Sequence, residues 1–356
     1  MKIIVIAIFL FTSMYALTPQ ELREKAFEKG LRSMPLEFSK LRADVDSENN
    51  LMTPEKIALG KKLFNDKNLS LDRTLSCASC HKLDKGGDDD IPTAIGYHKL
   101  KNPSHLNTPT VLNTAYSKHF FWDGRARSLE EQAKGPTLAP FEMASTPELI
   151  KERMQENPEY IKAFDEIFED EPSFDLMAKA IEVYEKTLIT RGKFDYFLEG
   201  DDTALSQSAQ NGLNLFIDLG CKGCHFGPAV GGQRIQQFPL RDYNSILNLS
   251  FAYDDQDKSR YVSDVALNFK MYHPYPFENR GGFMGKNGEQ KFRVPTLRNI
   301  ARTSPYFHNG AIKDLKEAIF LMGRHQVGVN LNKRQQREIE AFLKSLDGDL
   351  VEYKIP

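Results

Sequence analysis

Apolar side chains recur at helical spacing along much of the chain, and capping signals mark where several of these helices begin. Threonine followed by proline and, within the next two residues, by glutamate occurs at three places, Thr18, Thr53 and Thr146. The hydroxyl can cap a helix, proline suits the first helical position, and an acid in the first turn complements the helix dipole. The pattern therefore predicts helices that start at these three threonines.

Three further segments carry apolar residues on one face at the spacing of a helix. These residues are Met177, Ile181, Tyr184 and Leu188, then Leu213, Phe216 and Ile217, and finally the segment Leu315–Met322. The long polar stretches at residues 84–109 and 226–293 contain glycine and proline and lack convincing strand patterns, although a short hairpin fits inside the second. The predicted fold class is mainly α.

An internal repeat relates two parts of the chain. Residues 108–124 (TPTVLNTAYSKHFFWDG, the first copy) align without a gap with residues 294–310 (VPTLRNIARTSPYFHNG, the second copy). A shorter similarity, residues 60–64 against 212–216, precedes each cysteine pair. The repeat predicts two related domains. We expect an N-terminal domain at residues 17–200 and a C-terminal domain at residues 201–356, because Gly200 and two aspartates interrupt the helical pattern.

The composition is that of an ordinary globular protein. The chain has 356 residues, 40% hydrophobic and 27% charged, and at roughly 150 residues per domain this suggests about two domains. These proportions exclude collagen-like, disordered and polytopic membrane proteins. Lys and Arg (47) nearly balance Asp and Glu (49), so we expect no nucleic-acid partner.

The first 16 residues have the pattern of a secretory signal peptide. Lys2 precedes an apolar run, residues 3–11, that is too short to span a bilayer, and small residues follow up to Ala16. A retained anchor or a buried N-terminal helix is the alternative, because Met14 stands two positions before the expected cut. The sequence therefore predicts export to an oxidising compartment.

All four cysteines belong to two copies of one motif. The copies read Cys77-Ala-Ser-Cys80-His81 and Cys221-Lys-Gly-Cys224-His225. This is the haem c attachment signature, in which two thiols bind the vinyl groups of one haem and the next histidine is the proximal iron ligand. A four-cysteine zinc site and a dithiol redox motif are the alternatives. Zinc-binding pairs usually lie roughly 15–20 residues apart, far closer than these, and no βαβ pattern surrounds either pair, so the sequence favours a di-haem cytochrome.

The repeat allows the two haem sites to be compared. Met322 stands on the predicted helix downstream of His308, and the corresponding residue after the first copy is Pro136. A methionine thioether can be the second axial ligand and raises the reduction potential of a haem, whereas proline cannot bind iron. Core packing on an apolar helix face is the alternative for Met322. We expect His225 and Met322 to close the C-terminal haem.

The region after the first copy carries polar residues suited to peroxide chemistry. A carboxylate near an open iron can take a proton from bound peroxide and return it to the leaving oxygen, and Glu142 is the predicted base, with Gln132 nearby. Trp122, the single tryptophan, takes the place of His308 and is a candidate for passing electrons between the haems. Each residue has an alternative structural role: Glu142 as a capping or surface glutamate, Gln132 as part of a solvated helix face, and Trp122 as a buried aromatic.

These motifs resemble those of the bacterial di-haem cytochrome c peroxidases, the family that also includes the MauG enzymes. The resemblance runs from about Pro54 to Asp347. Besides the two haem motifs it rests on LGKKLF (59–64), FWDGR (121–125), QAKGP (132–136), PFEM (140–143), GGQ (231–233), VPTLRN (294–299), PYFHNG (305–310) and Met322-Gly323. It implies two tandem cytochrome c-like domains, each with one covalent haem c.

The resemblance implies a periplasmic enzyme that reduces hydrogen peroxide. In such an enzyme the C-terminal haem, held by His225 and Met322, receives electrons from a small c-type cytochrome or a cupredoxin. The N-terminal haem, with His81 as its proximal ligand, reduces the peroxide. A homodimer is also implied.

Further site residues are carried over from the family by position. Gln132 and Glu142 would lie beside the peroxide site, and Trp122 between the haems. An interdomain calcium ion would be bound by the side chain of Asn107 and the backbone carbonyls of Thr303 and Pro305, since oxygen ligands suit calcium.

One position departs from the family pattern. The peroxidases have a histidine after Ile-Gly that binds the peroxidatic haem in the resting enzyme, whereas here Ile95-Gly96 is followed by Tyr97 and then His98. Either His98 performs this role in a shifted register, or the haem is permanently open, as in MauG-like enzymes. We favour His98.

Three functions remain open at this point. They are peroxide reduction, electron transfer by a non-catalytic di-haem cytochrome, and MauG-like oxidation of a partner protein. The electron carrier would require a first haem that is stably six-coordinate. The MauG pattern closes the second haem with tyrosine, so Met322 favours the peroxidase.

Overall fold

The computed structural model describes residues 17–240 and 275–355, so the predicted signal peptide at residues 1–16 lies outside the described residues. The described part is mainly helical, as predicted. The α-helices are α1 (Pro19–Glu28), α2 (Phe38–Val45), α3 (Pro54–Asn65), α4 (Cys77–Cys80), α5 (Leu129–Leu138), α6 (Pro147–Gln155), α7 (Pro158–Phe168), α8 (Phe174–Lys186), α9 (Lys193–Leu198), α10 (Gln207–Asp218), α11 (Leu315–Met322) and α12 (Lys333–Ser345). The strands are β1 (Thr190–Gly192), β2 (Ile235–Gln237), β3 (Lys291–Arg293) and β4 (Gly348–Leu350).

Short single turns complete the secondary structure of these residues. The 3₁₀ turns are Lys67–Leu69, Leu83–Lys85, Tyr97–Lys99, Thr114–Tyr116, Cys221–Gly223, Arg280–Gly282 and Ile300–Arg302, and a π turn at Gly323–Val327 extends α11. Within residues 17–240 and 275–355, no helix has the length and apolar character needed to cross a bilayer.

Three helices begin where the threonine-proline pattern predicts. The hydroxyls of Thr18, Thr53 and Thr146 each accept a hydrogen bond from the backbone amide three residues later, at the starts of α1, α3 and α6. The predicted apolar faces of α8, α10 and α11 are largely buried. The local signals therefore place these helices correctly, because capping and burial of one face act together.

Two helix pairs cross in the same close manner. Gly60 of α3 lies against α8, where an added Cβ would be 2.0 Å from the carbonyl oxygen of Ala180. Gly212 of α10 lies against α12, where an added Cβ would be 1.9 Å from the carbonyl oxygen of Glu338. Each pair belongs to its own hydrophobic core. The similarity between residues 60–64 and 212–216 thus corresponds to two equivalent helix crossings.

The two copies of the repeat meet at one threonine. Asn113 and Asn299 occupy equivalent positions, and both have left-handed backbone conformations with φ of 62°. Each donates a hydrogen bond from Nδ2 to the Oγ1 of Thr190, at 2.9 Å and 2.8 Å. Thr190 begins β1, which pairs antiparallel with β4. Two asparagines and one short strand pair therefore hold the copies together.

The ends of the described chain cross between the two cores. Leu22 and Ala26 of α1 are buried in the core that contains α10, and Lys25 Nζ lies 2.7 Å from Asn214 Oδ1. At the other end, the Tyr353 hydroxyl donates to the carbonyl oxygen of Pro35 at 2.9 Å. The domain division at residue 200 stays a prediction, and both chain ends pack across it.

The polar stretch at residues 226–293 contributes one strand pair. Ile235 of β2 lies opposite Arg293 of β3 in an antiparallel register. The pair joins the two ends of the stretch in which the sequence allows a hairpin, and residues 241–274 between them lie outside the described part.

Candidate haem sites

The first cysteine motif forms one helical turn that ends at a histidine. Cys77 and Cys80 are the end residues of α4, whose start is capped by a reciprocal Ser76–Ser79 interaction. The Nδ1 atom of His81 lies 3.0 Å from the carbonyl oxygen of Gly87. Burial lowers the pKa of His81, which favours the neutral imidazole that binds metals. With Nδ1 engaged, Nε2 is the atom available to bind iron.

The second motif repeats this arrangement in the other core. Residues Cys221–Gly223 form a 3₁₀ turn, and Nδ1 of the buried His225 lies 3.3 Å from the carbonyl oxygen of Val230. Burial lowers the pKa of His225 to about 4, partly opposed by the carbonyls of Val230 and Pro295. His225 is therefore also neutral, with Nδ1 directed to backbone carbonyl oxygen.

A cavity of about 400 Å³ adjoins the second motif. Cys221, Cys224 and His225 line it, and so does Met322 of α11. The attachment thiols and both predicted axial ligands thus border one cavity, and its size lies in the range of about 300–1,000 Å³ of cofactor pockets. These residues fit the covalent haem that the motif predicts.

Glu142 lies close to the first motif. It is half-buried, burial raises its pKa, and the charge of Arg125 and a hydrogen bond from Asn102 oppose that rise. Burial raises the pKa of the Cys80 thiol to about 11, and the charge of Glu142 contributes. Gln132 is half-buried on α5, ten residues before Glu142 along the chain. The predicted base is therefore within electrostatic range of Cys80, the second cysteine of the first haem motif.

The loop with the candidate resting ligand packs against Glu142. The backbone amide of Tyr97 donates to the carbonyl oxygen of Glu142 at 2.7 Å. Gly96 makes this approach feasible, because an added Cβ would lie 2.3 Å from the carbonyl oxygen of Phe141. His98 itself is exposed, has a left-handed backbone with φ of 52°, and stacks on the Tyr97 ring at 4.0 Å.

Trp122 is buried and fixed by its indole nitrogen. Nε1 donates to the backbone carbonyl oxygen of Asn107 at 2.8 Å, and the ring packs edge-to-face against His308 with centroids 6.5 Å apart. These two rings are equivalent positions of the repeat. Trp122 also lines the cavity beside His225.

The three residues expected at a calcium site line the same cavity. They are Asn107, Thr303 and Pro305. Asn107 is further fixed because its backbone amide donates to His308 O at 2.8 Å and its Nδ2 to Ile91 O at 2.8 Å. The fold therefore brings together oxygen-bearing residues from distant parts of the chain.

The sequence reasoning missed two buried arginines, one directly before the second copy and one within it. Burial lowers the pKa of Arg293 to about 10, and its guanidinium lies 6.0 Å from the centre of the Trp122 ring. Arg298 is fully buried and paired with Asp195. Arg298 replaces Leu112 of the first copy, and this exchange of an apolar for a charged residue was the available signal.

Comparison with known proteins gives one family. The profile of the family described as "Di-haem cytochrome c peroxidase" matches residues 54–203. The chain is 41% identical over 312 residues to the cytochrome c551 peroxidase of Nitrosomonas europaea, covering 86% of this chain and 84% of that protein. It is 39% identical over 323 residues to the cytochrome c551 peroxidase of Pseudomonas aeruginosa, covering 89% and 84%.

The fold is also similar to a solved structure. That structure is the crystal structure of a MauG-like protein associated with microbial copper homeostasis, with a TM-score of 0.67 and 24% identity. The similarity covers 89% of this chain and 93% of that one. At this identity it supports the fold alone.

Proposed function

This chain belongs to the di-haem cytochrome c peroxidase family, and on that premise we propose that it reduces hydrogen peroxide at the N-terminal haem with electrons entering at the C-terminal haem. It is an enzyme, a cytochrome-c peroxidase. The proposed electron donor is a small c-type cytochrome or a cupredoxin. The proposed location is the periplasm, and the proposed assembly is a homodimer.

Each haem has its own set of holding residues. Cys77, Cys80 and His81 would hold the N-terminal haem. Cys221, Cys224, His225 and Met322 would hold the C-terminal haem. When bound, the haems supply the iron that accepts peroxide and the redox centre that delivers electrons to it. The protein supplies orientation, proton transfer and access.

Glu142 carries the proton transfer in this proposal. Reduction of one peroxide consumes two electrons and two protons and yields two water molecules. The Glu142 carboxylate takes the proton from one peroxide oxygen and returns it to the oxygen that leaves. Burial raises the pKa of Glu142, although the charge of Arg125 opposes part of the rise, and a raised pKa lies closer to that of an effective base near neutral pH. Gln132 donates its amide N–H to orient the peroxide.

The observation that carries the proposal is the difference between the two sites. Met322 borders the same cavity as His225, whereas Glu142 lies near Cys80 and its backbone holds the Tyr97 loop. One site has a methionine sulfur beside its cavity that could close it, and the other has a carboxylate suited to proton transfer. This difference favours catalysis at one haem and electron entry at the other.

Three further roles complete the proposal. Trp122, which lines the cavity beside His225, passes electrons between the haems. The side chain of Asn107 and the backbone carbonyls of Thr303 and Pro305 would bind calcium. The backbone carbonyl of the same Asn107 accepts from Trp122 and so connects the calcium site to that route. His98 would hold the resting N-terminal haem, a role for which its exposed ring must turn inward.

Replacement of Glu142 by glutamine tests the central role. We expect Glu142→Gln to keep both haems attached while peroxide turnover falls by about 10²–10⁴, the usual contribution of a general base. The matched control is Glu148→Gln, an exposed glutamate in the first turn of α6. Turnover of Glu142→Gln near that of the control would remove Glu142 from the mechanism.

A further inference from the structure

Arg293 carries a buried positive charge in the wall of the cavity beside His225. The residue is 3% exposed, and it lines this cavity together with Cys221 and Cys224. Burial lowers the pKa of Arg293 to about 10, and no acidic residue of the described part raises it. Because this pKa still lies far above neutral pH, the guanidinium keeps its charge.

The guanidinium has no anionic partner within residues 17–240 and 275–355. No ion pair or hydrogen bond in that part of the chain involves its nitrogens, and Nε is shielded from solvent. The other buried arginine of this region, Arg298, does have a partner, because its Nη1 lies 2.6 Å from the Asp195 carboxylate. A buried charge is stable only where an opposite charge or hydrogen bonds compensate for the lost water. Arg293 therefore requires an anion.

The wall of the cavity does not supply that anion. Apart from Arg293, the described residues that line the cavity include no arginine, lysine, aspartate or glutamate. The two histidines of the wall, His225 and His308, are neutral, because burial lowers the pKa of each to about 4. The wall thus carries one formal charge, which is positive, and most of its other side chains are apolar. A matching ligand is largely apolar and carries a carboxylate.

The backbone holds Arg293 next to Trp122. Arg293 lies in β3 opposite Ile235 of β2, and its amide donates to the carbonyl oxygen of Trp122 at 2.8 Å. The guanidinium carbon lies 6.0 Å from the centre of the Trp122 ring. A strand pair and the tryptophan therefore fix the position of the charge at the cavity wall.

We propose that Arg293 binds a propionate carboxylate of the haem in this cavity and that its charge raises the reduction potential of that haem. The inference rests on the proposed function, which assigns a haem to Cys221 and Cys224. A haem combines an apolar ring with two carboxylates, so it matches an apolar wall with one guanidinium. A guanidinium can bind a carboxylate with two parallel hydrogen bonds. A positive charge near the iron favours the ferrous over the ferric state, because reduction lowers the charge of the iron.

Arg293→Met removes the charge but keeps a long, largely apolar side chain. Resonance Raman spectroscopy of the holoprotein detects the propionates by their bending modes, and spectroelectrochemical titration gives the potential of each haem. We expect one propionate mode to shift in this variant. We also expect the ferrous-to-ferric ratio of the C-terminal haem at fixed potential to fall about tenfold, a downward shift of about 59 mV for a one-electron couple. Arg293→Lys keeps the charge as a compact ammonium and should restore most of the potential.

Arg234→Met is the matched control. Arg234 also lies near the second cysteine motif, where its Nη1 donates to the carbonyl oxygen of Gly223 at 3.2 Å, but it is exposed. Water and salt screen an exposed charge, so the control should keep the propionate modes and shift the potential far less. Should Arg293→Met fail to fold, Arg293→Gln, which is neutral but polar, repeats both measurements.

Three results would overturn the proposal. Unchanged propionate modes in the neutral variants, even with a lower potential, would assign the guanidinium to a protein carboxylate instead of the haem. A wild-type potential in those variants would show that Arg293 has no effect on the haem charge, and an equal shift in Arg234→Met would show that any nearby charge acts alike. The wild-type haem content at Cys221 and Cys224 and the peroxide assay test the proposed function separately.

Discussion

The sign of the stability change caused by Gly60→Ala or Gly212→Ala distinguishes a close helix crossing from a loose one. Both residues lie inside helices, where alanine is favoured over glycine by about 1 kcal/mol. At a loose crossing each substitution would therefore stabilise the protein. At the observed crossings an added Cβ would lie 2.0 Å from Ala180 O or 1.9 Å from Glu338 O.

The clash outweighs the gain in helix propensity. A Cβ does not approach another atom closer than 3.0 Å, so the helices must separate, and the obstructing carbonyl oxygen cannot rotate away as a side chain could. Overpacking of this kind costs about 3 kcal/mol, which leaves a net loss of about 2 kcal/mol after the propensity gain. At about 2–4 °C per kcal/mol for a unit of 150–250 residues, Tm should fall by about 4–8 °C.

Thermal unfolding of the holoprotein, followed by circular dichroism and haem absorbance, measures this change. Lys61→Ala is the control, because it places alanine at an exposed position of the same helix, α3, next to Gly60. We expect Gly60→Ala and Gly212→Ala to melt well below the control. A Tm at or above that of wild type in either variant would refute the close crossing of that helix pair.

Three further predictions concern the haem and ion sites. Met322→Leu keeps an apolar side chain but no ligand, so the near-infrared band of methionine-bound ferric haem should disappear and the potential of the C-terminal haem should fall; an unchanged spectrum would show that Met322 is core packing. His98→Ala should abolish the lag before peroxide turnover in the oxidised enzyme, and a lag as long as in wild type would count against His98 as resting ligand. Asn107→Ala should reduce the calcium retained after dialysis, measured by elemental analysis, and full retention would place the ion elsewhere.

Local signals in the sequence predict much of the fold. Thr18, Thr53 and Thr146 begin helices because a capping hydroxyl, a proline and an acid act within four residues and need no tertiary contact. The segment Leu315–Met322 is helical over the predicted bounds. The two Cys-x-x-Cys-His motifs are equally local, because their chemistry fixes the spacing.

Contacts between distant residues could not be predicted in this way. Arg298 and Asp195 form a buried pair although they lie 103 residues apart in the sequence, and a single sequence contains no signal of pairing at such a distance. The packing of α1 against α10 is another such case, since its apolar face would suit either core. His98 is a third, because the backbone bond between Tyr97 and Glu142 decides where its ring lies.

The most direct test of the central claim is electron paramagnetic resonance of the holoprotein, fully oxidised and then half-reduced, with peroxide added to each. The claim is that one haem is closed by His225 and Met322 while the other opens to peroxide. We predict a high-spin ferric signal that appears on half-reduction and is lost when peroxide is added and consumed. Two low-spin haems in both states, neither reacting with peroxide, would contradict the account and leave an electron carrier.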